Sequence, residues 1–399
     1  MLKIYCRIYQ GILRIVSYFL PWCKPKLVEG ENSLNKLPKL IKNKGIKSIL
    51  IVTDRKISSI GLMDTLLKGL IKEKIEYYIY DKTISNPTID NVEKAIKIYK
   101  DNKCKGIIGF GGGSPIDCAK GVGARIVRPK KNISKLKGQL KVKKKIPPLF
   151  AVPTTAGTGS EATIAAVITD SNTHEKYAIN DIALIPDYAV LDPLLTINLP
   201  KHITATTGLD ALTHAVEAYI GKSNTKKTKE YSKESIKLIF ENLYKAYIDG
   251  TNIVPRANMQ KASYLAGIAF TRAYVGYVHA IAHTIGGLYS VPHGLANAII
   301  LPYVLEYYGK AVYKPLSELA DLVKVASDYD NNKQKATKFI NEIKKLNESM
   351  NIPKKISEIK EEDIPLMVKR ALKEANPLYP VPKIFDKNDM FNIYKLLME

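Results

Sequence analysis

Gly109-Phe-Gly-Gly-Gly-Ser-Pro-Ile-Asp117 is the stretch that decides the fold, because a strand-like run ends at its start and a helical pattern begins within it. Ser114 is able to cap this helix, and Pro115 suits its first position. Backbone N–H groups at such a helix start attract phosphate, and glycine lets a pyrophosphate approach the backbone closely. The run only approximates the Gly-x-Gly-x-x-Gly pattern, so a tight strand-to-helix turn without a ligand is the alternative interpretation.

Two further polar positions lie at predicted strand ends. The turn Pro153–Glu161 follows the strand-like Leu149–Val152 and carries three threonines, a serine and two glycines. Such loops at the strand ends of one parallel sheet predict a shared ligand crevice. Asp54 ends the strand-like Ile46–Thr53, where a carboxylate can accept hydrogen bonds from ribose hydroxyls and repel a 2′-phosphate. It precedes the glycine turn, unlike the acid of the usual Rossmann order, so a solvated loop aspartate is the alternative.

The pattern of the chain changes near Pro200. From Ile46 to about Pro200, short β-branched runs alternate with helical patterns, which predicts a parallel sheet with helices on its faces. Beyond Pro200 the segments are long and of helical period. We therefore predict an α/β dinucleotide-binding domain with a Rossmann-like sheet over residues 1–197, beginning with an amphipathic extension at 1–30. An all-helical domain is predicted over residues 198–399.

The first residues need a separate interpretation, since Ile4–Leu20 is apolar enough to imitate a secretory signal. Arg7 and Arg14 interrupt the run, no small-residue cleavage site follows it, and it is a poor membrane span. Lys3, Arg7 and Arg14 share one face of a helix whose other faces are apolar. We expect an amphipathic helix that docks on its own protein or on a sister subunit, and an interfacial membrane helix is the less favoured alternative.

Charge and cysteine usage set limits on partners and compartment. The 399 residues carry a formal net charge of +23 and four cysteines without paired spacing, so a reducing, cytoplasmic setting is expected. Much of the excess charge lies at Arg125–Lys145, which contains no acidic residue. That field would suit an anionic partner, but a lysine-rich solvated surface is favoured. No aromatic residue interrupts the segment, so no nucleic-acid partner is expected.

Four of the six histidines fall in one set of helical motifs. Asp210 and His214 are four residues apart, so a helix presents them on one face, and His279 and His283 repeat that spacing. His293 follows soon after. Two helices with this pattern can close around a cation.

The residue types suit a metal better than another ligand. A carboxylate with imidazoles and no thiolate suits Fe(II), Zn(II), Mn(II) or Ni(II). Spacing leaves open which three of the four histidines, or all of them, are ligands, and hydrogen-bonded core histidines are the alternative. His174 and His202 lie outside the set and are expected on the surface or in loops.

Four motifs together resemble the iron-containing (group III) alcohol dehydrogenases from about residue 40 to the C-terminus. They are GGGSPIDCAK (111–120), PTTAGTGSEAT (153–163), GLDALTHAVEAY (208–219) and GYVHAIAHTIGGLYSVPHGLANAIILP (276–302). The resemblance implies a dehydroquinate synthase-like architecture. It implies the metal ligands Asp210, His214, His279 and His293, with His283 as a non-ligand histidine beside substrate and cofactor. The nucleotide contacts that it implies are Asp54, Asn86, Gly112, Gly113, Ser114, Thr154, Thr155, Thr158 and Lys176.

The resemblance further implies a reaction. We expect a metal-dependent, NAD-linked alcohol dehydrogenase that moves hydride reversibly between a primary alcohol or aldehyde and NAD(H), with His283 as a candidate for proton relay or for positioning the substrate. Fe(II) is the expected cation, Zn(II) or another divalent ion is the alternative, and NAD is favoured over NADP. A homo-oligomer is expected. A polyol dehydrogenase of the glycerol or propanediol type is the second interpretation, and a non-catalytic basic binding protein is a remote third.

Overall fold

A parallel sheet of six strands organises residues 21–199 of the computed structural model, which describes residues 1–171 and 176–399. In chain order the strands are β1 (Lys26–Glu29), β2 (Ser48–Val52), β3 (Glu76–Tyr80), β4 (Gly106–Gly111), β5 (Gly138–Gln139), β6 (Leu149–Pro153), β7 (Ala165–Thr169), β8 (Lys176–Asn180) and β9 (Tyr188–Leu191). The large sheet has the order β1-β9-β6-β4-β2-β3, and β5-β8-β7 form a second, smaller sheet.

The α-helices divide between two compact units, residues 21–199 and residues 200–399 together with 1–20. In chain order they are α1 (Leu2–Tyr18), α2 (Leu37–Asn43), α3 (Arg55–Ser59), α4 (Asp64–Lys72), α5 (Ile89–Asp101), α6 (Gly113–Val127), α7 (Lys201–Ile220), α8 (Lys226–Ile248), α9 (Ile253–Ala273), α10 (Tyr277–Tyr289), α11 (His293–Tyr308), α12 (Tyr313–Leu322), α13 (Asn332–Ser349), α14 (Ile364–Ala375) and α15 (Lys387–Leu397).

Both faces of the large sheet are covered, which explains why its central strands are apolar throughout. Successive side chains of a strand point to opposite faces. Leu50 and Val52 of β2 therefore pack into one core with residues of α5 and α6, while Ile49 and Ile51 pack into the other with residues of α2 and α4. The predicted fold class, an α/β unit with a parallel sheet followed by a helical unit, is confirmed.

The helical unit is built around α7, whose second half is buried on all sides. Gly208 permits a close neighbour there, because a Cβ at this position would lie 2.2 Å from Leu243 Cδ1 on α8. Side-chain caps define where surrounding helices start, with capping boxes at Thr225 for α8, Asn331 for α13 and Asp386 for α15. The segments of helical period in the sequence therefore become long packed helices.

Helix α1 belongs to the helical unit and not to the α/β unit to which residues 1–30 were assigned from sequence. Arg7 donates hydrogen bonds to the carbonyl oxygens of Val381 (2.8 Å) and Pro382 (3.0 Å). Gln10 donates to the carbonyl oxygens of Pro377 and Tyr379 at 3.1 and 2.8 Å. These contacts span nearly the whole length of the chain, so sequence order gave no sign of them. No α-helix among the described residues is both long and apolar enough to cross a membrane.

Replacing Arg7 by methionine is expected to lower the free energy of unfolding by about 1–3 kcal/mol, because two partly buried carbonyls lose charged donors. Arg14→Met is the matched control, since Arg14 is an exposed arginine of the same helix. Urea unfolding followed by circular dichroism measures both variants. Equal effects of the two substitutions would contradict the docking role of Arg7.

Candidate active site

One carboxylate and three imidazoles converge in the helical unit. Asp210 and His214 lie on α7, His279 on α10 and His293 at the start of α11, and each offers a ligand atom within 4.8 Å of the others. Asp210 Oδ2 lies 3.9 Å from His214 Nδ1, and Asp210 Oδ1 lies 3.6 Å from His293 Nε2. Asp210, His214 and His279 are buried. This group can hold a divalent cation.

The turn between α10 and α11 brings His293 to this group. Ser290 ends α10 in a left-handed conformation, φ 58°, and Pro292 leads into α11. The next residue, Gly294, lies so close to α7 that a Cβ there would be 2.4 Å from the backbone oxygen of Thr206. The absence of a side chain at Gly294 therefore permits the approach of α11 to α7 that places His293 beside Asp210.

Glu217 orients the buried ligand candidate His279. Its carboxylate accepts backbone N–H groups from Gly276 and Val278, each at 2.8 Å, and lies 2.6 Å from His279 Nδ1. Burial raises the pKa of Glu217 to about 8, while these donors favour the carboxylate form. A proton on Nδ1 directs the lone pair of Nε2 into the cluster, as is common for metal-binding histidines.

Neutral imidazole is the form that binds a metal, and the surroundings of His279 favour it. Burial lowers the pKa of His279 well below its ordinary value, and the neighbouring His214, His293 and His283 lower it further. The donor set therefore fits a divalent cation of the kind that binds nitrogen and oxygen ligands.

Like Glu217, Asn297 belongs to this site and was not predicted from the sequence. Its buried Nδ2 donates to Asp210 Oδ1 at 2.7 Å and lies 3.2 Å from the Nε2 atoms of His279 and His293. A signal was present for both missed residues. Glu217 lies seven positions after Asp210, and Asn297 lies four after His293, so each shares a helix face with a predicted ligand.

His283 lies beside His293 but is not one of the four converging residues. Its Nδ1 lies 2.7 Å from Glu374 Oε1, which also accepts a hydrogen bond from the Tyr379 hydroxyl at 2.8 Å. Its ring stacks on His293, with centroids 5.1 Å apart. The histidine retains partial solvent access. This arrangement can hold a proton on Nδ1 and leave Nε2 available for exchange. His202 is exposed on α7, and His174 lies outside the described residues.

In the α/β unit, the predicted nucleotide residues follow neighbouring strands. Val52 of β2 pairs with Gly109 of β4, and Gly111 pairs with Pro153 of β6. The residues beyond these pairs therefore emerge at one edge of the sheet. They are Asp54 after β2, Gly112 and Gly113 after β4, and Thr154, Thr155 and Thr158 after β6.

The two loops at this edge touch each other. Thr154 N–H donates to the carbonyl of Gly111 at 2.9 Å. A Cβ at Gly112 would lie 3.5 Å from the Thr155 side chain, and one at Gly113 would lie 2.8 Å from Thr158 Cγ2. Glycine at position 113 therefore leaves room for a threonine and keeps the backbone N–H groups of the helix start open to a ligand.

The structure corrects the predicted start of α6. Gly112 is the N-cap and the helix begins at Gly113, so Ser114 does not cap it and Pro115 is not its first residue. The chain can turn earlier because Gly111 adopts φ +146°, which a side chain disfavours. The Ser114 hydroxyl instead accepts the backbone N–H of Asn86 at 3.2 Å.

Asn86 is linked through the small sheet to Lys176, another candidate nucleotide-binding residue. The next residue, Pro87, accepts a hydrogen bond from Thr169 N–H at 2.8 Å, and Thr169 pairs with Lys176 across β7 and β8. Burial lowers the pKa of Lys176.

Asp54 has a local structural role, since its Oδ1 accepts the Ile57 N–H at 2.9 Å and caps α3.

Two charged residues of α6, the buried Lys120 and the half-buried Asp117, support the loop after β6 that carries Thr154, Thr155 and Thr158. Lys120 Nζ donates to the carbonyl and hydroxyl oxygens of Thr163, at 2.9 and 2.8 Å, and to the carbonyl of Ala165. Asp117 accepts from the Ser160 hydroxyl at 2.6 Å and from Val167 N–H. Burial lowers the pKa of Lys120 to about 8 and raises the pKa of Asp117. The GGGSPIDCAK motif thus forms the turn after β4, and its Asp117 and Lys120 hold the loop that follows β6.

A Rossmann-like α/β unit followed by a helical unit with a buried Asp–His cluster is the architecture of a class of metal-dependent enzymes. Residues 24–193 match the family "Iron-containing alcohol dehydrogenase", and residues 204–398 match "Fe-containing alcohol dehydrogenase family, C-terminal". The chain therefore belongs to the iron-containing alcohol dehydrogenase family, as its motifs predicted.

Individual relatives and structures agree with this assignment. The chain is 36% identical over 370 residues to "1,3-propanediol dehydrogenase" of Citrobacter freundii, covering 92% of this chain and 95% of that protein. It is 37% identical over 387 residues to "Alcohol dehydrogenase 4" of Saccharomyces cerevisiae, covering 96% and 99%. A crystal structure of 1,3-propanediol oxidoreductase superposes with a TM-score of 0.91 at 35% identity, covering 94% of this chain and 99% of that one.

The Gly294→Ala substitution is expected to weaken metal binding by about 10–100-fold, because the added methyl group pushes α11 from α7 and moves His293. Gly287→Ala is the control, since a Cβ on Gly287 meets no atom within 4 Å. Metal content after equilibration with limiting Fe(II) or Zn(II) measures both. Unchanged metal content in Gly294→Ala would show that the close helix approach does not matter for the cluster.

Proposed function

We propose that the protein is a metal-dependent, NAD-linked alcohol dehydrogenase with Asp210, His214, His279 and His293 as the metal ligands. The observation that carries this proposal is the convergence of one carboxylate and three imidazoles within 4.8 Å in a buried setting. Family membership supports the reaction class, and the donor types support Fe(II) or Zn(II) as the cation.

The reaction divides between the bound groups and the chain. When bound, the cation supplies Lewis-acid polarisation of the substrate oxygen, and the nicotinamide accepts or donates the hydride. Glu217 holds the proton of His279 on Nδ1, so this imidazole presents Nε2 to the cluster. Asn297 donates to Asp210 Oδ1, which fixes the direction of that carboxylate. Both residues act by positioning ligand side chains.

His283 is proposed to exchange the hydroxyl proton of the substrate with solvent. Glu374 accepts from its Nδ1 side and is itself held by the Tyr379 hydroxyl, so the imidazole keeps one orientation. Its Nε2 can then accept a proton during alcohol oxidation and return it during aldehyde reduction. Partial exposure of its side chain supports exchange with water.

The nucleotide is proposed to bind at the sheet edge of the α/β unit. Backbone N–H groups at Gly112 and Gly113 suit a diphosphate at the start of α6. Hydroxyl and amide groups that can contact the dinucleotide nearby belong to Asn86, Ser114, Thr154, Thr155 and Thr158, with Lys176 as a cation. Asp54 can accept from ribose hydroxyls through the carboxylate oxygen that does not cap α3, which favours NAD over NADP.

The substrate is proposed to be a small primary alcohol or its aldehyde, and a diol is the second candidate. The match to a protein named 1,3-propanediol dehydrogenase supports the second candidate, and the match to Alcohol dehydrogenase 4 supports the first. A cytoplasmic homo-oligomer remains our expectation. The four free cysteines support a reducing compartment.

His279→Ala and Asp210→Ala are expected to lose bound metal and turnover together, because each removes a buried ligand of the cluster. His202→Ala, an exposed histidine of α7, is the control and should keep both. NADH oxidation at 340 nm is followed with short aldehydes and with 3-hydroxypropanal, using protein stripped of metal and refilled with Fe(II), Zn(II) or buffer. Full activity after exhaustive chelation would refute the ligand assignment. Activity restored only with the hydroxyaldehyde would favour the diol candidate.

Asp54→Asn is expected to raise the ratio of kcat/KM for NADP to that for NAD by about tenfold, because it removes a charge that repels the 2′-phosphate. Asparagine keeps an oxygen that can cap α3, so local unfolding is avoided. Asp64→Asn, on α4, serves as the charge-matched control. An unchanged coenzyme ratio in Asp54→Asn would mean that this carboxylate does not face the ribose.

A further inference from the structure

The side of α1 that points away from the protein is apolar. Four isoleucines on this side are 57–67% exposed, although residues of this type are normally buried. We call them the outer face of α1. They are Ile4, Ile8, Ile12 and Ile15.

The outer face lies opposite the face that docks on the chain. Cys6 and Gln10 are buried on the docked side, where Gln10 and Arg7 make their hydrogen bonds to residues 377–382. The spacing of the isoleucines by four, four and three residues keeps them on one side of a helix. The helix is therefore amphipathic in an unusual sense, because its polar residues Arg7 and Gln10 bind the protein and its apolar row faces outward.

A contiguous exposed apolar surface marks an interaction site, and its neighbours continue the same character. Tyr5 and Val16 flank the isoleucines and are exposed, and Tyr18 and Phe19 form an exposed edge-to-face pair at the end of the helix. Aromatic side chains of this kind favour the boundary between water and hydrocarbon.

Charge identifies the occupant. Residues 1–28 contain the five basic residues Lys3, Arg7, Arg14, Lys24 and Lys26 and no acidic residue, within a chain of net charge +23. Lys3 and Arg14 are exposed on α1 itself. A second copy of this chain would bring an equally positive segment to the contact, which like-charge repulsion disfavours. An anionic lipid surface instead attracts the basic residues and accepts the apolar side chains.

We propose that the outer face of α1 binds the surface of membranes that contain anionic lipids. The helix lies in the plane of the interface, with its isoleucines between the lipid headgroups and the acyl chains. The exposed Lys3 and Arg14 share the polar side of the helix with Arg7, and their long side chains reach lipid phosphates at the rim of the contact. The bonds of Arg7 and Gln10 hold the other face of α1 to the helical unit. The protein is thereby attached to the lipid surface as a peripheral protein. This role is independent of the proposed reaction.

The test is co-sedimentation of the full-length chain with large vesicles. Vesicles of phosphatidylcholine with about 30% phosphatidylserine, at about 0.1 M salt, are expected to carry the protein down, and pure phosphatidylcholine vesicles to carry much less. Binding to the anionic vesicles should weaken as salt is raised, because attraction to lipid phosphates is screened.

The double substitution Ile8→Glu with Ile12→Glu is expected to lower the vesicle partition coefficient by about tenfold or more. The matched control is Ile71→Glu with Ile248→Glu, which changes two other exposed isoleucines and adds the same negative charge. Circular dichroism and thermal unfolding check that each variant folds. If the glutamate pair perturbs folding, Ile8→Ser with Ile12→Ser provides the same comparison without added charge.

Three results would overturn the proposal. One is no sedimentation of the native protein with anionic vesicles, and another is equal loss of binding in the outer-face and control variants. The third combines two observations: the native protein does not bind vesicles, and it forms an assembly in sedimentation velocity that Ile8→Glu with Ile12→Glu dissociates. The outer face would then bind a second copy of the chain.

Discussion

The helical unit depends on the hydrogen bonds that the Glu217 side chain makes with the start of α10 and with His279. A buried carboxyl group is tolerated only where hydrogen-bond partners surround it, and here two N–H groups at the start of α10 and one imidazole supply them. The helix dipole at that end also favours a negative charge. One side chain of α7 thus fixes where α10 begins, how His279 is oriented and which of its nitrogens faces Asp210.

In the α/β unit a buried basic side chain, Lys120, has the role that the acidic Glu217 has in the helical unit. Lys120 lies fully buried on α6 and is surrounded by oxygen acceptors of residues 163 and 165, while Asp117 holds Ser160. Loops that bind ligands are normally mobile, so support from a buried ion on a rigid helix limits their movement. In both halves, polar groups that would destabilise a core in isolation instead set the positions of candidate site residues.

The surface follows a different rule. Most lysines are exposed, including those of the segment Arg125–Lys145, where the guanidinium of Arg125 pairs with Glu93. Helix α1 departs from this pattern, because its basic residues accompany a row of exposed isoleucines.

Local pattern determined much of this protein. Alternation of β-branched runs and helical periods predicted the parallel sheet and the helical unit, and four motifs predicted the family, because each depends on residues close together in the chain. Spacing of four residues placed Asp210 with His214. It could not separate His283 from His279, because both share a helix face and only the approach of other helices distinguishes them.

Tertiary structure decided what depends on distant residues. Asn297 meets Asp210 from another helix, Glu374 orients His283, and Arg7 ties α1 to residues near 381. The start of α6 was misplaced by two residues because the positive φ of Gly111 was not visible in composition. Sequence by itself therefore determined the fold class and the chemistry of the side chains. Packing decided which of them meet, because contacts between residues far apart in the chain arise only when the apolar faces of the helices are buried against one another.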